Sequence, residues 1–100
     1  MKTSELSGAI IDRIVASIET DSLEHFQAVL PDYHPSLDWS QAGPIIENAK
    51  IELEYDGFEW WARIKADEEY AGKTPLIAAM RCYVASKLGD EIQILEELEK

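Results

Sequence analysis

The chain predicts an α+β domain: an antiparallel β-hairpin or three-stranded sheet packed on a buried central helix, with an additional N-terminal helix. Three observations carry that expectation. Residues 74–88 are apolar almost all the way round a helical wheel, between a start signal and a stop signal. Residues 50–65 alternate apolar with polar on either side of Asp56-Gly57. Residues 4–19 place apolar side chains along one helical stripe. A single domain of 100 residues can bury one modest core from such parts.

The central helix has the clearest boundaries. Thr74 can accept a hydrogen bond from an orphan N–H of the first turn, and Pro75 suits the first helical position, where its missing N–H costs nothing. Gly89 suits the stop, and Lys87 faces the negative end of the dipole. Between them Leu76, Met80, Tyr83 and Val84 form one stripe, widened by Ile77 and Leu88. The opposite side is small: Ala78, Ala79, Cys82, Ala85 and Ser86. Apolar residues on all sides predict burial on two sides, with the small face admitting a close neighbour.

In the first helix, Leu6, Ile10, Ile14 and Ile18 fall four apart, with Ile11 and Val15 alongside and Asp12, Arg13 and Glu19 off the stripe. Thr3, Ser4 and Ser7 are each able to cap it. Asp21-Ser22-Leu23-Glu24 resembles a capping box and predicts a short helix over 22–30, ended by Pro31. Residues 31–49 read as an ordered loop that carries three of the four prolines; Tyr33, Leu37 and Trp39 call for burial within it, and 44–48 can form one helical turn.

Residues 50–65 predict a hairpin with a two-residue turn at Asp56-Gly57. Tyr55 would then pair with Phe58, Leu53 with Trp60 and Ile51 with Ala62, all on one apolar face. The other face would set Glu54 against Glu59 and Lys50 against Arg63, like charges in both cases, with Trp61 among them. Trp61 is then either covered by another segment, the preferred reading, or an exposed anchor. Residues 66–73 read as a polar acidic loop, and 91–95 as a third strand or the start of a C-terminal helix.

Charge narrows the function classes. Twenty acids against nine bases give a net charge of −11. Both halves share it: three bases and eight acids in residues 1–50, six and twelve in 51–100. Direct nucleic-acid binding is disfavoured, because affinity for phosphates comes from Lys and Arg. No apolar run approaches the ~18 residues of a membrane span, and the N-terminus lacks a signal-peptide core, so a cytoplasmic protein is expected. Cys82, the single cysteine, fits a reducing compartment as a small buried hydrophobe. No glycine-rich phosphate loop, paired cysteines, calcium-loop pattern or nucleophile–base pair is present; His25 and His34 serve no recognisable partner. No catalytic, cofactor-binding or metal-ligating residues are assigned, and the expectation is a protein that is not an enzyme and needs no cofactor.

Three blocks then stand out: Thr3 to Ala9, TSELSGA; Pro35 to Glu47, PSLDWSQAGPIIE; and Thr74 to Glu91, TPLIAAMRCYVASKLGDE. Together they resemble the NinX-like family of bacteriophage and prophage proteins, in the right order and over nearly the whole chain. The chain departs from the family pattern at Arg13, where a tryptophan is usual, and in the compact stretch 22–30. The resemblance implies a small accessory protein from the early region of a lysogenic phage, acting in the bacterial cytoplasm, and it implies no activity, cofactor or catalytic residue.

The expected function is therefore a non-enzymatic module that binds a host or phage protein. Trp39, Gln41, Glu52, Glu54, Glu59 and Trp61 are its candidate contacts. Acidic mimicry of DNA, directed at a DNA-binding protein, is the alternative, and a small enzyme or ligand-binding protein the residual. The sequence leaves a homodimer open.

Overall fold

The computed structural model describes residues 2–6, 8–20, 33–65 and 68–89. A 3-10 turn at Thr3–Glu5 precedes helix α1 (Gly8–Thr20). Helix α2 (Trp39–Ala49) follows, then strands β1 (Glu52–Tyr55), β2 (Trp60–Lys65) and β3 (Glu68–Gly72), and helix α3 (Pro75–Leu88). The strands form one antiparallel sheet in the order β1-β2-β3. The α+β expectation holds, with three helices and a three-stranded sheet.

Helix α3 is the predicted central helix, begun and ended by the residues its sequence signals name. The Thr74 hydroxyl accepts from the Ile77 N–H at 3.2 Å, Pro75 occupies the first turn, and Gly89 closes the helix at φ 88°. Leu76, Ala78, Ala79, Met80, Cys82, Tyr83 and Val84 are all buried, which accounts for apolar residues on every side. The sheet packs on one side of α3, and α1 and α2 on others. The shared core joins Ile11, Ile14 and Val15 of α1, Ala42 and Ile45 of α2, and Ala62 of β2. Burying each of the larger aliphatic side chains stabilises the fold by about 1.5–3 kcal/mol.

Three polar contacts fasten the ends. Arg81 on α3 donates from Nε to the Leu6 carbonyl at 2.6 Å and from its guanidinium to the Ala71 carbonyl at 2.7 Å, so one cation ties the N-terminal turn to β3. The Thr3 hydroxyl donates to the Gly89 carbonyl at 2.6 Å. Asp12, expected off the buried stripe of α1, is instead buried beneath the Pro35-Ser36 turn. Its carboxylate accepts from the Ser36 N–H at 2.9 Å and the Ser36 hydroxyl at 3.0 Å.

Several expectations are corrected. The helix placed over 4–19 is divided, because Leu6 is extended and Thr3 binds the end of α3 rather than capping α1. The loop placed over 31–49 is helical from Trp39 onward. Asp38 caps α2, its Oδ1 accepting from the Ser40 N–H at 2.8 Å, and Lys50 closes it at φ 58°. Pro44 lies inside α2 on an exposed position, where the Ser40 carbonyl it leaves without a helical donor can be solvated.

The hairpin register is shifted by two residues from the expected one: Tyr55 pairs with Trp60, Leu53 with Ala62, Glu54 with Trp61 and Glu52 with Arg63. A four-residue loop, 56–59, replaces the two-residue turn. The shift preserves which side chains share a face but removes both like-charge pairs. The third strand arises from the acidic stretch 66–73, expected as a loop. There Tyr70 faces the core opposite Ala62, and Glu69 faces Arg63 on the other side. The helix expected over 22–30 and the strand over 91–95 lie outside the described residues.

Gly72 marks the tightest approach between β3 and α3. A Cβ there would stand 2.5 Å from the Ala78 nitrogen and 3.0 Å from Ile77 Cγ2. Because the nearest atom is helix backbone, Gly72→Ala must push β3 away from α3. The expected loss is about 1–3 kcal/mol in chemical denaturation, the usual range for an overpacked core; unchanged stability would show that the two elements do not pack this closely.

Candidate protein-interaction surface

The inner face of the sheet is taken by α3, through Leu53, Trp60, Ala62, Ile64 and Tyr70. Alternation along the strands therefore sends Glu52, Glu54, Trp61, Arg63, Glu69 and Ala71 to the outer face. Among the described residues, no helix packs on that face. Glu52, Glu54 and Glu69 are exposed, while Trp61 and Arg63 are half-buried among their neighbours.

Arg63 organises this face. Its Nε lies 3.3 Å from Glu52, and its two terminal nitrogens lie 2.7 Å from Glu54 and 3.4 Å from Glu69. The hydrogen bond to Glu54, with the three surrounding carboxylates, raises the guanidinium pKa above its ordinary value. Exposed ion pairs add little to folding stability. Their effect here is to hold three carboxylates at set positions on β1 and β3 around one cation on β2.

Asp56 organises the loop end. Its Oδ1 accepts from the N–H groups of Phe58 at 2.8 Å and Glu59 at 2.9 Å, and its Oδ2 accepts from the Trp61 indole N–H at 2.7 Å. Its own N–H donates to the Glu59 carbonyl at 3.2 Å. The hydrogen bonds from the Glu59 N–H, the Trp61 indole and the Phe58 N–H hold the Asp56 pKa below the ordinary carboxylate value. One side chain thus closes the four-residue loop and fixes the indole on the outer face.

The structure brings Glu52, Glu54 and Trp61 together on the outer face, with Glu59 at the loop end beside them. It separates Trp39 and Gln41, which belong to α2. Trp39 and Leu37, expected to be buried, are 55% and 74% exposed, whereas Gln41 accepts from the His34 N–H at 2.6 Å and so helps shape the preceding turn. Sequence reasoning missed Asp56, Phe58, Arg63 and Glu69. Phe58 was expected on the apolar face; in the loop it is 93% exposed. Glu69 was hidden by reading 66–73 as a loop.

Two other polar or hollow places lie away from this face. Beside the Asp12–Ser36 contact, the Tyr83 hydroxyl donates to Glu19, and Tyr33 is pushed up to about 12 by burial and by the charges of Glu19 and Asp12. A cavity of about 260 Å³ is lined by Ile64, Tyr70, Cys82 and Gly89 among others. Burial pushes the Cys82 thiol up to about 11, so it is protonated near neutral pH and not a ready nucleophile. Among the described residues, no group of three or more His, Cys, Asp or Glu side chains converges to hold a metal ion, and no helix is long and apolar enough to cross a membrane.

Fold and surface together define a small acidic α+β domain with a solvent-facing, carboxylate-rich sheet. The family model described as "Bacteriophage P22, NinX" matches residues 2–87, and the chain belongs to that family. It is therefore a bacteriophage accessory protein, in agreement with the resemblance carried by the Pro35–Glu47 and Thr74–Glu91 blocks. No curated protein matches the chain.

Asp12 supplies a test of the buried turn. Burial raises its pKa above the ordinary 3.8, outweighing the opposing hydrogen bonds from Ser36 and the charge of His34. Folding thus favours the protonated carboxyl, and its contribution declines as pH rises from 3.8 through the folded-state value. Asp12→Asn removes that titration. Its stability relative to wild type should rise across the window and then level off in denaturation measurements at stepped acid pH. A gap independent of pH would show that Asp12 titrates normally.

Proposed function

We propose that the protein acts without catalysis, as a binding module for a host or phage protein in the bacterial cytoplasm, and that the outer sheet face is its contact surface. The observation that supports this most directly is Trp61, held by Asp56 among Glu52, Glu54 and Glu69 on a face no described helix covers. A half-buried indole in a rigid polar frame is the kind of group that anchors protein interfaces. The acids complement a basic partner and speed its encounter. Self-association through the β1 edge is opposed, since two copies would oppose Glu52 and Glu54 across the new pair.

The net charge of −11 favours a second reading, acidic mimicry of DNA. Against it, the densest acids on the sheet surround Arg63, which reduces the local negative field. Capture of a partner from phage-infected host lysate at low and high salt separates the two. The binding-module reading expects one partner retained at both salts and reduced about tenfold or more by Trp61→Ala, with Trp39→Ala without effect. A DNA-binding partner that competes with DNA and is lost at high salt would establish mimicry instead. Failure to capture any partner would overturn both.

A further inference from the structure

The most exposed large apolar side chain among the described residues sits in a loop closed by hydrogen bonds to one carboxylate. Phe58 is 93% exposed at the hairpin tip, yet its own N–H is fixed to Asp56 at 2.8 Å and the next N–H to the same carboxylate oxygen at 2.9 Å. An aromatic ring left in water contributes nothing to this fold. A flexible loop would lose much of the ring's binding energy on ordering, whereas a loop already closed by Asp56 does not. Tyr55, 55% exposed, and Trp60 stand just behind the tip with their ring centroids 5.2 Å apart, so the anchor rises from an aromatic base.

The surrounding charge has one sign. Residues 54–60 hold Glu54, Asp56 and Glu59 and no base. Among the described residues, ion pairs on the hairpin run only through Arg63, which engages Glu54 but neither Asp56 nor Glu59. The Asp56 carboxylate is taken up by the Phe58 and Glu59 N–H groups and the Trp61 indole, all neutral donors. Glu59 feels the charge of Arg81. The tip keeps a negative charge that a cationic partner complements.

Resting on the binding-module reading, we infer that the hairpin tip is a preorganised plug: Phe58 inserts into an apolar pocket on a folded partner protein, with Lys or Arg side chains on the pocket's rim facing Glu59 and the negative charge that Asp56 leaves at the tip. Trp61 and the outer acids extend the contact along β1 and β2. A nucleic acid is not the occupant, because both flanking groups are anionic. A second copy of this chain is disfavoured by its own net charge.

The test places a photoreactive p-benzoylphenylalanine at position 58, and in separate proteins at positions 39 and 69, and irradiates phage-infected host cells. The expected result is a covalent product strongest from position 58, with the crosslinked partner peptide apolar and flanked by Lys or Arg. With that partner purified, Phe58→Ala should bind at least about 30-fold more weakly. It should keep the wild-type melting temperature, since a side chain so exposed supports no core. Asp56→Ala, which frees the loop but keeps the ring, should bind more weakly than wild type and more tightly than Phe58→Ala. If Phe58→Ala binds normally while Trp61→Ala does not, the plug is refuted and the outer-face reading stands. If crosslinks come only from position 39, or the wild type captures nothing, both are refuted.

Discussion

Everything in this structure depends on α3 being packed against from several directions at once. The helix manages this by being small where neighbours come closest. Gly72 of β3 lies against Ala78, where even a methyl group would strike backbone. Ala78 and Ala79 are themselves fully buried. The larger side chains, Leu76, Met80 and Val84, fill the spaces between sheet and helices. Arg81 departs from the apolar pattern because its guanidinium satisfies carbonyls at Leu6 and Ala71 that packing alone would leave without donors.

That arrangement has a consequence for the sheet. A three-stranded sheet has two faces, and α3 covers one. The chain solves the other with polar chemistry: Arg63 on the middle strand gathers carboxylates from both edge strands, and Asp56 secures the indole of Trp61. Opposite charges across strands replace the like-charge pairs that a tighter turn would have produced. The resulting surface is ordered without being buried, a condition suited to recognition.

The parts of the fold that were legible are those whose signals are local. Thr74, Pro75 and Gly89 bound α3 through their own backbone and side-chain chemistry, and strand alternation assigned Leu53, Trp60, Ala62 and Ile64 to one face. Register was not legible, because it turns on a side-chain choice: Asp56 binds two N–H groups and an indole, favouring four loop residues over two. Helix α2 was concealed by Gly43-Pro44, which reads as a breaker until Asp38 is seen capping the turn before it. Strand β3 has acids that are poor strand formers in isolation, and its pairing with β2 and the packing of Gly72 override them. Alternation alone puts Glu52, Glu54 and Trp61 on the sheet face away from the core, where they lie, whereas Glu59 falls in the loop rather than on a strand. Phe58 was assigned to the wrong environment by the same two-residue error, and Gln41 proved to be part of a turn.

Helix α3 is the common core of the sheet and the two other helices, while the outer sheet face and hairpin tip stand outside it. Native-state hydrogen exchange tests this residue by residue. Amides of Ala78 to Val84 should exchange only through global unfolding, at an opening free energy of about 5–15 kcal/mol, with those of β2 close behind and the Gly57 amide of the loop far faster. If the α3 amides instead exchange through a low-energy local opening while the sheet remains protected, α3 is not the element on which the structure depends.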